Sequence, residues 1–267
     1  MHRFVSALLL AAPLGLASCG TPAPRARPVS PEASVDRTVA VLWFQAAAEM
    51  RALYYQAFNI ARERLDAALA RRTGDDKLAV VVDIDETILD NGPLEASLVK
   101  NHQPFRMELW KQWSQRGVAE ALPGAQPFLT YAASNRVDVF YVSNRNVDEF
   151  DATARNLREK HFPMVDAQHL LLSQGHEGKE PRRRNIAGKY NVVLLMGDNL
   201  GDFSGIFERQ TPETRGALTD ENREKFGRIF IVLPNPMYGG WEDALYPPGL
   251  SEEQKAALRR SVLRSEP

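Results

Sequence analysis

The chain has one cysteine, Cys19, among its 267 residues, so no internal disulfide can form and any folded domain must be held by apolar burial. Neither sign of charge is in excess. Lys and Arg total 33 against 34 Asp and Glu, which removes the broad field that draws a protein onto a nucleic-acid polymer or an anionic surface. Histidine is scarce: His2, His102, His161, His169 and His176 show no ligand-like spacing and are read as surface or structural residues, which argues against zinc. No apolar run reaches the roughly 18 to 20 residues of a membrane span. Residues 4–16, behind Arg3, have instead the length and basic start of a secretory signal peptide. Internal repeats are also missing. What the chain does have is 44% apolar residues over a length that supports one sizeable core.

Leu16, Ala17, Ser18 and Cys19 resemble the bacterial lipobox, which implies cleavage before Cys19 and lipid on its thiol. Residues 20–34, GTPAPRARPVSPEAS, are rich in Pro, Ala and Ser and have little to bury, as suits a tether. The expected division is a signal peptide over 1–18, a lipidated Cys with a flexible linker over 19–36, and one folded domain over 37–267. Gly20 after the cysteine, by resemblance to lipoprotein sorting signals, favours the outer membrane of a Gram-negative host, on its periplasmic or surface face.

Within the folded part, Trp43, Ala47, Met50, Tyr54, Ala57, Ala61, Leu65 and Ala68 recur at three- and four-residue spacing, which predicts an amphipathic helix or helix pair over 38–72, ended by Gly74. Continuous Val- and Ile-rich runs at 78–82, 137–142, 192–196 and 228–233 predict buried strands, with a weaker one at 169–173 and a helical stretch over 147–160 between. Strands alternating with helices argue for an α/β fold with a mostly parallel sheet. Residues 90–123, containing RMELWKQWSQRG, interrupt the alternation and read as a small helical cap alongside the N-terminal helices. Trp110, Trp113 and Trp241 are taken as packing there, and Ser251 with Gln254 forms a capping box for a last helix.

The first strand ends in two carboxylates, Asp83 and Asp85. In open parallel sheets the ligand crevice lies at the carboxyl ends of the strands. Two other strands deliver polar groups to the same rim: VFYVSNR brings Ser143, Asn144 and Arg145, and GDNLGDF brings Asp198 and Asp202. Carboxylates gathered this closely repel unless a cation sits among them, and oxygen donors without His or Cys suit Mg²⁺.

Asp83-Ile84-Asp85-Glu86-Thr87 resembles the DxDxT motif of haloacid dehalogenase (HAD) superfamily phosphatases, with Ser143, Lys179 in GKEPRRR, and GDNLGDF in the places of the later motifs. More narrowly, DIDETILDN, VFYVSNR, GDNLGDF and LPNPMYGGWE, with the lipobox, resemble the class C acid phosphatases. That resemblance implies a HAD-like Rossmannoid three-layer fold and an Mg²⁺-dependent acid phosphatase or 5′-nucleotidase. Asp83 would be the nucleophile and Asp85 the acid and base. Asp83, Asp198 and the backbone carbonyl of Asp85 would hold the metal, with Asp202 around its waters and Thr87 ordering the loop. Ser143, Asn144 and Lys179 would hold the phosphoryl oxygens. Lys189 is the alternative to Lys179, and Arg182, Arg183 and Arg184 are read as solvent-exposed.

Its substrates would be small phosphate monoesters, including nucleoside 5′-monophosphates whose base stacks on Tyr238. Leu94 stands where related proteins often carry an aromatic, which puts nucleotide preference in question. A homodimer stays open. Two other readings also stay open: a different HAD phosphotransferase, and a catalytically weak surface lipoprotein that binds nucleotides or a partner protein.

Overall fold

The computed structural model describes residues 31–175 and 177–266, so the expected signal peptide, Cys19 and most of the linker lie outside the described residues. Helices α1 (Pro31–Ala46) and α2 (Ala48–Ala70) come first, and α1 starts inside the stretch read as linker. They form a pair because Ala47 adopts an extended conformation between them. Met50, Tyr54, Ala57, Phe58, Ala61 and Leu65 make the buried stripe of α2 at the expected spacing, and Gly74, with φ +52°, lies in the turn beyond its end.

β1 (Leu78–Val82) then enters the centre of a five-stranded sheet. The insertion after it contains β2 (Leu89–Asp90), α3 (Gly92–Lys100), α4 (Met107–Arg116) and β3 (Glu120–Ala121). β2 and β3 pair antiparallel and close the insertion at its base. There follow α5 (Ala125–Ser134), β4 (Asp138–Asn146), α6 (Phe150–Glu159), β5 (Leu170–Ser173), α7 (Glu180–Ala187) and β6 (Asn191–Gly197). The chain ends with α8 (Pro212–Glu221), β7 (Phe230–Val232), α9 (Gly240–Asp243) and α10 (Glu252–Ser261), the last opened by the Ser251–Gln254 capping box.

The sheet order is β5-β4-β1-β6-β7 and every pairing is parallel. β1 shows why: all five residues are buried, Leu78, Val80 and Val82 in the large core with α2 and α5, and Ala79 and Val81 in a smaller one with Ile186 of α7. A strand covered on both faces has no polar side, so it reads as a continuous apolar run. The expected α/β architecture with a mostly parallel sheet is therefore what the chain forms. Each fully buried Val, Leu or Ile contributes roughly 1.5–3 kcal/mol relative to exposure.

After β1 the chain builds outward to β4 and β5, then returns to place β6 on the other flank. That reversal opens a crevice at the carboxyl ends of β1, β4 and β6. Among the described residues no helix is long and apolar enough to cross a membrane.

Candidate active site

Asp83 directly follows β1, and its backbone N–H still donates to the Met196 carbonyl at 2.9 Å, so the β1–β6 ladder fixes it in place. Its side chain is buried, and Lys179 donates to Oδ1. Thr87 Oγ1 bridges Asp83 Oδ2 and Asp198 Oδ1, each at 3.4 Å. Lys179 also donates to Asp202 Oδ1 at 2.6 Å. It stands immediately before α7 and is buried, which settles its placement over the exposed-face reading of KEPRRR.

Asp83, Asp198 and Asp202 each offer a carboxylate oxygen within 4.8 Å of the others. Burial pushes the Asp83 carboxyl well above its ordinary value, opposed by Lys179 and reinforced by the neighbouring carboxylates. Burial and Asp202 push Asp198 up to about 7. Burial alone would lower Lys179, but Asp202 and Asp83 beside it raise it above its ordinary value, so it stays charged. One lysine against three carboxylates, those of the buried Asp83 and Asp202 and the half-buried Asp198, leaves negative charge uncompensated, and an all-oxygen donor set of this kind fits a hard divalent cation. The Asp85 carboxylate stands outside this group. Asp202, expected one layer further out, brings its carboxylate into it.

Asp85 is held differently. Arg145 Nε donates to both of its oxygens, at 3.1 and 3.2 Å, and Nη2 to Oδ1 at 2.7 Å. Asn91 Nδ2 adds a bond at 2.9 Å and Ser143 Oγ one at 3.3 Å. Burial pushes Asp85 up, but the Arg145 charge and these hydrogen bonds outweigh it and hold the carboxyl below its ordinary value. Strand alternation explains who arrives: along β4, Ser143 and Arg145 are buried while Asn144 and Asn146 are exposed. Asn144, grouped with Ser143 in the sequence reading, thus sends its side chain outward, where its Oδ1 accepts from Arg182 at 3.3 Å.

The loop after β1 is pinned from behind. Glu86 is fully buried at φ +54°, a conformation costly for a side-chain-bearing residue, and Tyr54 of α2 donates to its carbonyl. Asn235 Nδ2 donates to Asp198 at 2.8 Å, and its Oδ1 accepts the backbone N–H groups of Met237 and Tyr238. The backbone of the half-buried Tyr238 is thus tied to Asp198 through Asn235.

Several sequence readings change. Arg182 and Arg183 are not free surface charges: Arg182 Nη1 donates to the carbonyls of Ser143 and Leu171, at 2.5 and 3.0 Å, and Arg183 is buried against Gly201 and Glu180. Of the three, Arg184 alone is exposed. Trp241 is 45% exposed instead of packed, and Leu94 is buried in α3. His169 is structural, bonded to Asp166 and Asp138, while His102 and His161 are exposed. Arg145 was legible only as a residue at the rim, and Asn91 and Asn235 only as letters within matched motifs. Their partners stand up to 60 positions away in sequence, where no periodicity points.

A profile of the HAD superfamily, subfamily IIIB (acid phosphatase), matches residues 24–241. The structure of the class C acid phosphatase from Bacillus anthracis superposes with a TM-score of 0.85 at 41% identity, covering 88% of this chain and all of that one. The same enzyme with tungstate bound gives 0.85 at 40% identity and the same coverage. A stem 31 kDa glycoprotein of Glycine max is 27% identical over 161 residues, 58% of this chain and 57% of the plant protein, and the chain spans about half the length of the curated relatives it matches. The chain belongs to the subfamily IIIB acid phosphatases of the HAD superfamily, a family of phosphomonoester hydrolases.

Proposed function

We propose that this chain is a Mg²⁺-dependent acid phosphatase that hydrolyses exported or extracellular phosphate monoesters, nucleoside 5′-monophosphates among them, through an aspartyl phosphate on Asp83. The observation that carries this is Asp83 itself: a buried carboxylate at the end of the central strand, bonded to Lys179 and within reach of Asp198 and Asp202. The tungstate held by the Bacillus anthracis enzyme, a tetrahedral oxyanion like phosphate, supports the same reading.

In the first step an Asp83 oxygen attacks phosphorus in line, the ester P–O bond breaks, and Asp85, which must first take up a proton against the pull of Arg145 and is therefore competent on the acid side, gives that proton to the departing alkoxide. In the second, Asp85 takes a proton from a water that attacks phosphorus, the Asp83–phosphorus bond breaks, and inorganic phosphate leaves. Ser143 and Lys179 hold the transferring oxygens, joined by the backbone N–H of Asn144. Asp83, Asp198 and the Asp85 carbonyl would hold Mg²⁺, with Asp202 beside them. The bound ion supplies positive charge against the phosphoryl oxygens. Tyr238, tied to Asp198 through Asn235, is the candidate surface for a nucleobase.

The test is phosphate release from nucleoside monophosphates, sugar phosphates and an aryl phosphate, with and without Mg²⁺, beside Asp83→Asn. Metal-dependent release that the substitution abolishes is expected. A folded protein that binds nucleotide but releases nothing would overturn the enzymatic reading in favour of a binding lipoprotein. Export and lipid attachment at Cys19 belong to the same proposal, supported by the signal-like residues 1–18 and the lipobox-like LASC. Cys19→Ser is expected to move the protein from the outer-membrane fraction to the soluble one.

A further inference from the structure

Two of the insertion's aromatic side chains are tied to the group that holds Asp85. Trp113 of α4 donates its indole Nε1–H to Asn91 Oδ1 at 2.7 Å. An indole N–H can only donate, so this bond fixes which way the Asn91 amide faces and aims its NH₂ at Asp85 Oδ1 and Glu86 Oε2, at 2.9 and 3.3 Å. Trp110, one turn earlier on α4, lies with its ring 5.3 Å from the Arg145 guanidinium carbon. Its own Nε1 donates to Glu149 Oε1 at 2.9 Å. Arg145 is anchored on its far side by Thr153 Oγ1 at 3.1 Å. The Asp85 carboxylate is therefore gripped from two directions, by Arg145 and by Asn91, and each grip leads back to α4.

We propose that Asn91, Arg145 and Trp113 are positioning residues for proton transfer at Asp85, and that α4 sets that position through the Trp113–Asn91 bond. This rests on the reading of Asp85 as acid and base. None of the three needs to touch the phosphoryl group. Their effect is to hold one carboxylate oxygen where the leaving alkoxide departs, and small displacements of such a group cost rate steeply. With Trp113 unable to donate, the Asn91 amide is free to turn its carbonyl toward Asp85, which would replace an attraction with a repulsion. In Arg145→Lys the charge stays but the forked contact to both oxygens is lost.

The discriminating experiment measures kcat/KM, which reports the step that breaks the ester bond, for a series of esters from 2,4-dinitrophenyl phosphate to alkyl phosphates. Trp113→Phe, Arg145→Lys and Asp85→Asn are compared with the unaltered protein, each checked by thermal unfolding. Dinitrophenolate leaves without a proton, whereas an alkoxide needs one. The expected result is a steeper fall of kcat/KM with leaving-group basicity in Trp113→Phe and Arg145→Lys. The loss on alkyl esters should be on the order of tenfold greater than on the dinitrophenyl ester. A loss of equal size on every ester in both variants, with the slope unchanged, would make Trp113 and Arg145 mere supports and overturn the proposal. If Asp85→Asn itself keeps the original slope, the underlying reading of Asp85 falls and the positioning proposal falls with it.

Discussion

Gly197 ends β6 without a side chain because Asp202 occupies that space: a Cβ there would collide with the Asp202 Cβ and carboxylate. Asp202 cannot retreat cheaply, since its Oδ2 accepts the Asn199 N–H at 2.9 Å and its Oδ1 the Lys179 ammonium at 2.6 Å. Gly197→Ala is therefore expected to destabilise the protein by about 1–3 kcal/mol, as forced overpacking does, and to abolish most phosphate release by displacing the Lys179 partner. Gly216 in α8 is the contrast, with open space where its Cβ would stand, and Gly216→Ala is expected to stabilise by roughly 0.5–1 kcal/mol. Thermal unfolding with a parallel rate assay on both variants checks this. If Gly197→Ala retains full activity, the exact seat of Asp202 does not matter. At this scale the sequence is half legible. Asp83, Asp85 and Asp198 stand where apolar strands run out, so pattern alone marks them. Arg145, Asn91 and Asn235 act through partners supplied by other elements, and only the fold brings these together.

Among elements, β1, β4 and β6 were readable because burial on both faces writes a continuous apolar run. The two-residue strands β2 and β3 were not, because two residues carry no periodicity, and the break between α1 and α2 falls at an alanine with no helix-stopping chemistry. α2 contributes more than packing. Tyr54 buries its ring against Phe44 and gives its hydroxyl to the Glu86 carbonyl, so the helix holds the loop that follows Asp83. Tyr54→Phe keeps the ring and removes the donor, leaving a carbonyl buried in a loop already in a left-handed turn. The expected cost is about 1–3 kcal/mol in urea unfolding, with a fall in kcat larger than the change in KM. A stability change near zero would mean that the carbonyl finds another donor and that α2 acts on the loop through apolar contact alone.

For the whole molecule, the buried acidic groups couple folding to pH and, on the proposed reading, to metal. Burial raises the carboxyls of Asp83 and Glu86 well above their ordinary values and lifts Asp198 to about 7. Between the unfolded carboxylate range, about 4, and these raised values, the folded state binds more protons than the unfolded one. Stability in metal-free buffer is therefore greatest on the acid side and declines as pH rises toward 7, where the cluster must ionise. Asp85 works in the opposite direction: burial opposes ionisation, but Arg145 and its hydrogen bonds prevail and lower it, so its contribution is present above the unfolded value and lost as pH falls through the lowered one. Together they predict a metal-free stability maximum on the acid side of neutral. On the proposed reading Mg²⁺ would bind the ionised cluster of the folded state and not the unfolded chain, so it would stabilise by mass action, and more strongly once the carboxylates have lost their protons. Thermal unfolding at pH 5 and pH 7.5, in EDTA and in millimolar Mg²⁺, is expected to show the larger Mg²⁺-induced rise in Tm at pH 7.5. An Asp198→Asn variant should lose most of that difference, because it removes one donor and the ionisation that opposes folding. Equal rises at both pH values would mean that the cluster is already ionised in the metal-free fold, with Lys179 balancing it alone.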